Sequence, residues 1–140
     1  MRRQRPAAAM ALALALGGCG LLDSGELWSS GRYTILWIDA PDQAHLAYRI
    51  DGTTTMGLSD PCVSAVAENA DYIAIEQRPP QSARRPRYRL FAKRALASRM
   101  PLATPLGEPM PEPIYRPLAQ RLGLPPMRAV GGAGACGRAN

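Results

Sequence analysis

Between residues 32 and 38 the chain alternates in a mix rich in β-branched and aromatic residues. Tyr33, Ile35 and Trp37 point one way, and Arg32, Thr34, Leu36 and Ile38 the other, which predicts a strand. Asp39-Ala40-Pro41-Asp42-Gln43 is turn chemistry, and Leu46, Tyr48 and Ile50 then recur at period two before Asp51-Gly52, completing a first hairpin. Residues 52–61 read as a loop or a weak edge strand. Residues 62–67 predict a third strand, Glu68-Asn69-Ala70-Asp71 a tight turn, and residues 72–77 a fourth strand closed by Pro79 and Pro80. Basic and apolar positions alternate over residues 87–93, as in a strand with one solvated face. Short connections favour pairing of sequential neighbours. The expected class is therefore mainly β: a small antiparallel meander of about five strands with one apolar face.

That face needs a cover, and residues 112–124 supply one. Ile114, Leu118, Leu122 and Tyr115 fall at helical spacing, and Gly123 sits where a helix ends. Pro117 is tolerated only in a first turn, so the expectation is one short C-terminal helix beginning near it. The proline-rich residues 100–113 read as an extended connector, and the Gly/Ala-rich residues 127–140 as a flexible tail. Residues 20–31 show no sustained period and read as a tether. The globular part is thus expected over residues 32–126.

The first 18 residues have a different character. Arg2, Arg3 and Arg5 precede a ten-residue apolar run, and Leu16-Gly17-Gly18-Cys19 follows at once. Ten apolar residues are half of what a helix needs to cross a bilayer, so the run suits a segment that is inserted and then removed. This resembles a bacterial lipoprotein signal peptide with its lipobox. The resemblance implies cleavage after residue 18, a diacylglyceryl thioether (with palmitate-class acyl chains) on Cys19, and membrane attachment through lipid alone. Gly20, being other than Asp, implies sorting to the periplasmic face of the outer membrane. The order of the remaining segments is similar to a family of uncharacterised small bacterial lipoproteins. The resemblance rests on Val63-Ser64-Ala65-Val66, on Tyr72-Ile73-Ala74-Ile75-Glu76-Gln77, and on Pro105-Leu106 leading to Leu122-Gly123-Leu124-Pro125. It implies no particular activity.

Charge changes the picture once the leader is set aside. The whole 140-residue chain carries a formal +6, and half of that is the three arginines of the leader. What remains is lopsided: residues 19–76 hold nine acids and two arginines, whereas residues 77–140 hold twelve bases and two acids. Such asymmetry marks either a partner surface or attraction between the two halves. Arg87, Arg89 and Lys93 fall on one face of the fifth strand, which makes them the candidate surface for an anionic partner, either lipid headgroups or an acidic envelope protein. A lipid-anchored envelope protein has no natural access to nucleic acid.

Catalytic and metal-binding patterns are scarce. The single histidine, His45, sits in a strand, and the chain contains no CxxC, HExxH, GxSxG or phosphate-binding glycine loop. Asp39, Asp42, Asp51 and Asp60 flank turns at a spacing that matches no calcium loop. No metal, cofactor or catalytic set is expected. A hydrolase would need His45 beside a carboxylate and a nucleophile such as Ser59 or Ser64. Cys62 and Cys136 remain after Cys19 takes lipid. They either pair in an oxidising envelope, closing a loop of about 75 residues, or stay as a buried residue and a free thiol. The expected function is that of a non-catalytic binding or assembly module of the cell envelope. The alternative is an inhibitor or immunity-type lipoprotein that occludes a hydrolase or toxin.

Overall fold

The structure, a computed structural model, describes residues 23–80, 85–93, 104–130 and 136. The leader and Cys19 lie outside the described residues. Within them the fold is mainly β, with two antiparallel sheets and one short helix near the C-terminus.

The first sheet, sheet A, is built from β1 (Ser24–Ser30), β2 (Tyr33–Ile38), β3 (His45–Arg49) and β4 (Thr55–Gly57), hydrogen-bonded in that order. Strand β1 corrects the expectation of a tether over residues 20–31. Its register with β2 shifts between Glu26 and Trp28, and both Leu27 and Trp28 pack on the core. A bulge of this kind removes the alternation by which a strand is recognised. Gly31, with φ of 58°, makes the tight turn into β2. Gly25 lies opposite Trp37, and a Cβ built on it would stand 2.6 Å from the Trp37 indole nitrogen. The indole therefore occupies the space that any other residue's side chain would need.

The second sheet, sheet B, runs β10 (Arg128–Ala129), β5 (Val63–Glu68), β6 (Tyr72–Gln77), β7 (Arg87–Ala92) and β8 (Thr104–Pro105), and β9 (Met110–Pro111) also pairs with β7. The five expected strands correspond to β2, β3, β5, β6 and β7, and the weak edge strand to β4. They form two sheets rather than one meander. Residues 58–62 carry the chain from one sheet to the other.

The central strands of sheet B are covered on both faces. On one, Val63, Val66, Ile73, Ile75 and Phe91 meet Ile35 and Leu46 of the first sheet and Ala44 just before β3 in the main core. On the other, Ala74, Tyr88 and Leu90 meet Tyr115 and Ala119 of the helix α1 (Glu112–Arg121). A strand with cover on both sides has no polar face to show, which explains the nearly continuous apolar run Tyr72-Ile73-Ala74-Ile75.

The helix departs from expectation in two respects. It starts five residues before Pro117 and carries that proline inside, where the missing N–H leaves the Pro113 carbonyl without its intrahelical donor. Its buried side is formed by Tyr115 and Ala119 with Leu118 and Leu122, while Ile114 stays 58% exposed. Gly123, with φ of 67°, ends it as predicted. Asn69, in the β5–β6 turn, donates from Nδ2 to the Leu122 carbonyl at 2.8 Å, and its Oδ1 accepts from the Asp71 and Tyr72 amides. One side chain thus closes a sheet turn and satisfies a carbonyl at the helix end.

The start of the expected tail is also corrected. Arg128 and Ala129 pair with Val66 and Ala65, the Val130 amide donates to the Ser64 carbonyl, and Val130 is buried in the main core. Cys136 is bonded to Cys62 and buried. Gly and Ala composition obscured the pairing of Arg128 and Ala129, the burial of Val130 and the bridge at Cys136.

Candidate functional site

The basic residues of β7 share a face, as alternation requires, but it is the face turned toward sheet A. Phe91 has the same parity and is fully buried in the inter-sheet core. Arg89 and Lys93 consequently lie at the rims of that core, with side chains 18% and 19% exposed. Arg89 faces Asp60, with Nη1 3.7 Å from Oδ2, and Lys93 donates to Glu68 Oε2 at 2.7 Å. The Lys93 ammonium also stands 5.9 Å from the Tyr33 ring centroid of β2, a cation–π contact that reaches the other sheet. Arg87 alone of the three is exposed, and its guanidinium donates to the Pro109 carbonyl at 2.9 Å. The expected open stripe for anionic partners is therefore corrected. Two of its three members neutralise acids from the N-terminal half of the chain.

The opposite face of sheet B holds a polar cluster that sequence reasoning missed. Glu76 projects from β6 among apolar neighbours and is paired across the sheet with Tyr88. Its Oε1 accepts from Ser64 Oγ at 2.7 Å and from Arg78 Nε at 2.6 Å, and its Oε2 accepts from Tyr88 at 3.1 Å. Burial pushes the Glu76 carboxyl up, and the hydrogen bonds from Ser64, Arg78 and Tyr88 outweigh it, so the group sits below the usual carboxylate range. The same burial and the Glu76 charge push the Tyr88 hydroxyl up to about 12. The Tyr88 ring stacks on Tyr115 of α1, with centroids 4.4 Å apart and planes 6° from parallel. The detectable signal was a lone acid inside the run YIAIEQ. Accepting from three donors, Glu76 braces β5, β6 and β7 and, through Tyr88 stacked on Tyr115, the helix.

Ser59 Oγ accepts from the Leu46 amide and donates to the Asp60 carbonyl, Ser64 is engaged with Glu76, and the His45 ring lies against Gly57 on sheet A. Asp51 caps its own turn through Thr53 and Thr54, whose amides hold its carboxyl below the usual range. Among the described residues no group of three His, Cys, Asp or Glu could hold a metal ion. Cys62 and Cys136, two thiols 74 residues apart in sequence, form a disulfide with Cα atoms 5.3 Å apart. Cys62 holds a φ of 77°, a left-handed conformation rare outside glycine, and its carbonyl accepts from the Arg78 amide.

Open depressions mark the surface formed by the described residues. One of about 290 Å³ lies between Trp28 of β1, Val66 and Glu68 of β5, and Pro125 and Arg128. A second, of about 380 Å³, runs along sheet A from Gly25, Trp37 and Ile38 past Glu26 and Leu36 to Thr55 of β4. A third, of about 280 Å³, lies where Tyr115 and Ala119 of α1 face Leu124 and Met127. No described helix is long and apolar enough to cross a membrane. No protein-family model, curated protein or solved structure matches the chain.

Proposed function

We propose that this is a lipid-anchored cell-envelope lipoprotein whose small β domain works as a non-catalytic binding or assembly module. The observation that carries the reading is the pairing of Cys62 with Cys136 in a chain that opens with the lipobox Leu16-Gly17-Gly18-Cys19. Stable disulfides belong to exported proteins, and the lipobox supplies both the route and the anchor. The surface lends support of a second kind. Among the described residues two ionisable clusters are tied into braces, Glu76 to three donors and Lys93 to Glu68, as expected of a scaffold. Gly20, being other than Asp, directs the anchored protein to the outer membrane.

The test is fractionation of the full chain produced in a Gram-negative host. Intact mass spectrometry of the membrane fraction should find residues 19–140 with a diacylglyceryl group on Cys19, and Cys19→Ser should leave the membrane fraction. An unmodified Cys19 in the native mature protein overturns the reading.

A further inference from the structure

We infer that the end of sheet A carrying Trp37 and Ile38 rests on the membrane, contacting the interfacial region of a zwitterionic bilayer. This rests on the lipid anchor proposed above at Cys19. The first described residue, Asp23, is only four residues beyond that cysteine, and an extended chain of that length spans about 14 Å. Strand β1 begins immediately, at Ser24. The connection is too short to hold the domain away from the lipid, so the surface around the start of β1 must lie at the bilayer.

That surface is fixed by register. Ser24 pairs with Ile38, Gly25 pairs with Trp37, and the Asp39 amide donates to the Asp23 carbonyl at 2.7 Å. Ile38 is 46% exposed, one of three large hydrophobic residues so exposed among the described residues, and it borders the depression shared with Leu36, Trp37 and Gly25. Trp37 lies on the opposite face of β2, partly buried against the main core, and reaches the same depression, so an indole and an exposed aliphatic side chain both stand at this edge, a combination that suits the boundary between headgroups and acyl chains. The residues that lead there, Gly20, Leu21 and Leu22, are uncharged and mostly apolar.

The charges nearby choose the lipid. Asp23, Asp39 and Asp42 lie at this end, Glu26 is paired with Arg49, and His45 stands opposite Leu36 one strand over. Arg32, the first base of the mature chain, is at the far end of the β1–β2 hairpin. A rim of carboxylates repels phosphate-rich anionic surfaces and tolerates the ammonium groups of zwitterionic headgroups.

The experiment uses the full lipidated protein in phosphatidylethanolamine–phosphatidylcholine vesicles, with Trp28→Phe to leave Trp37 as the reporter. Lipids brominated near the carbonyl end of the acyl chain should quench Trp37 emission. Ile38→Asp should at least halve that quenching while the protein still pellets with the vesicles, and added phosphatidylglycerol should reduce it. Hydrogen exchange on the unaltered protein provides a measure independent of the Trp28 change, and residues 36–40 should be slowed by vesicles. Unquenched Trp37 and unchanged exchange in a protein that pellets and carries the lipid on Cys19 would overturn the contact and leave the anchor standing. Protein that stays in the supernatant with Cys19 unmodified would overturn both.

Discussion

At Gly25 a missing side chain is what allows the Trp37 indole to settle on the backbone of β1. Gly25→Val should displace that ring and cost about 1–3 kcal/mol in urea unfolding, the usual range for forcing extra atoms into a filled site. Glu76 gives a prediction with a sign. Its folded pKa is depressed, so its contribution is present above the unfolded value and is lost as pH falls through the folded one. Stability should decline on acidification below about pH 4.5. Glu76→Gln should cost about 1–3 kcal/mol at pH 7, as hydrogen bonds to a charged group do, and the gap between variant and parent should narrow toward pH 3. Tyr88 runs the other way: its pKa is raised to about 12, so its share is present below the unfolded value and is lost as pH rises toward 12. Tyr88→Phe should flatten that alkaline loss. Lys93 joins Glu68 to the ring of Tyr33, and Lys93→Gln should lower stability by about 1–2 kcal/mol. A double-mutant cycle with Glu68→Gln would measure how much of this belongs to the pair.

At the scale of elements, the disulfide holds more than its own loop. Strand β10 offers only Arg128 and Ala129 to β5, and the bridge from Cys136 to Cys62 lies just beyond it. In the chain-entropy account, closing a loop of about 75 residues stabilises the fold by about 4 kcal/mol. Reduction, or Cys136→Ser, should therefore lower the melting temperature markedly and speed amide exchange at Ala129 and Val130 before it does so at β6. How well each element could be read from sequence follows from its physics. Strands β2 and β3 were visible because large apolar residues such as Ile35, Leu46 and Tyr48 alternate with small or polar ones such as Thr34 and Ala47, even though consecutive positions on both faces are buried. Strand β1 was hidden by its bulge, and β10 was too short and too glycine-flanked to carry any period. The helix was visible from Gly123 and its apolar spacing, yet its buried stripe fell on Tyr115 and Ala119 because the stacking of Tyr115 on Tyr88 sets its rotation. The basic face of β7 was placed correctly along the strand. Which side of the sheet would be covered depended on a second sheet that local pattern does not announce.

Across the whole molecule, the opposite charges of the two halves of the sequence find one another. Asp60 and Glu68 precede Arg89 and Lys93 in the chain by 25 residues or more and meet them at the rims of the core. Screening with salt should thus soften the fold modestly, since such pairs are partly exposed. Order along the chain has a temporal side too. All of sheet A lies in residues 24–57, and everything that covers its inner face comes later. A chain emerging from its N-terminus can zip up that sheet while Tyr33, Ile35, Leu46 and Tyr48 still look onto water. During that interval it is a client for whatever holding factor travels with the nascent chain. A chain halted near residue 60 should bind hydrophobic dyes and aggregate. One halted near residue 130 should be compact yet still unbridged, since no oxidant can close the loop on Cys62 until residue 136 has been made.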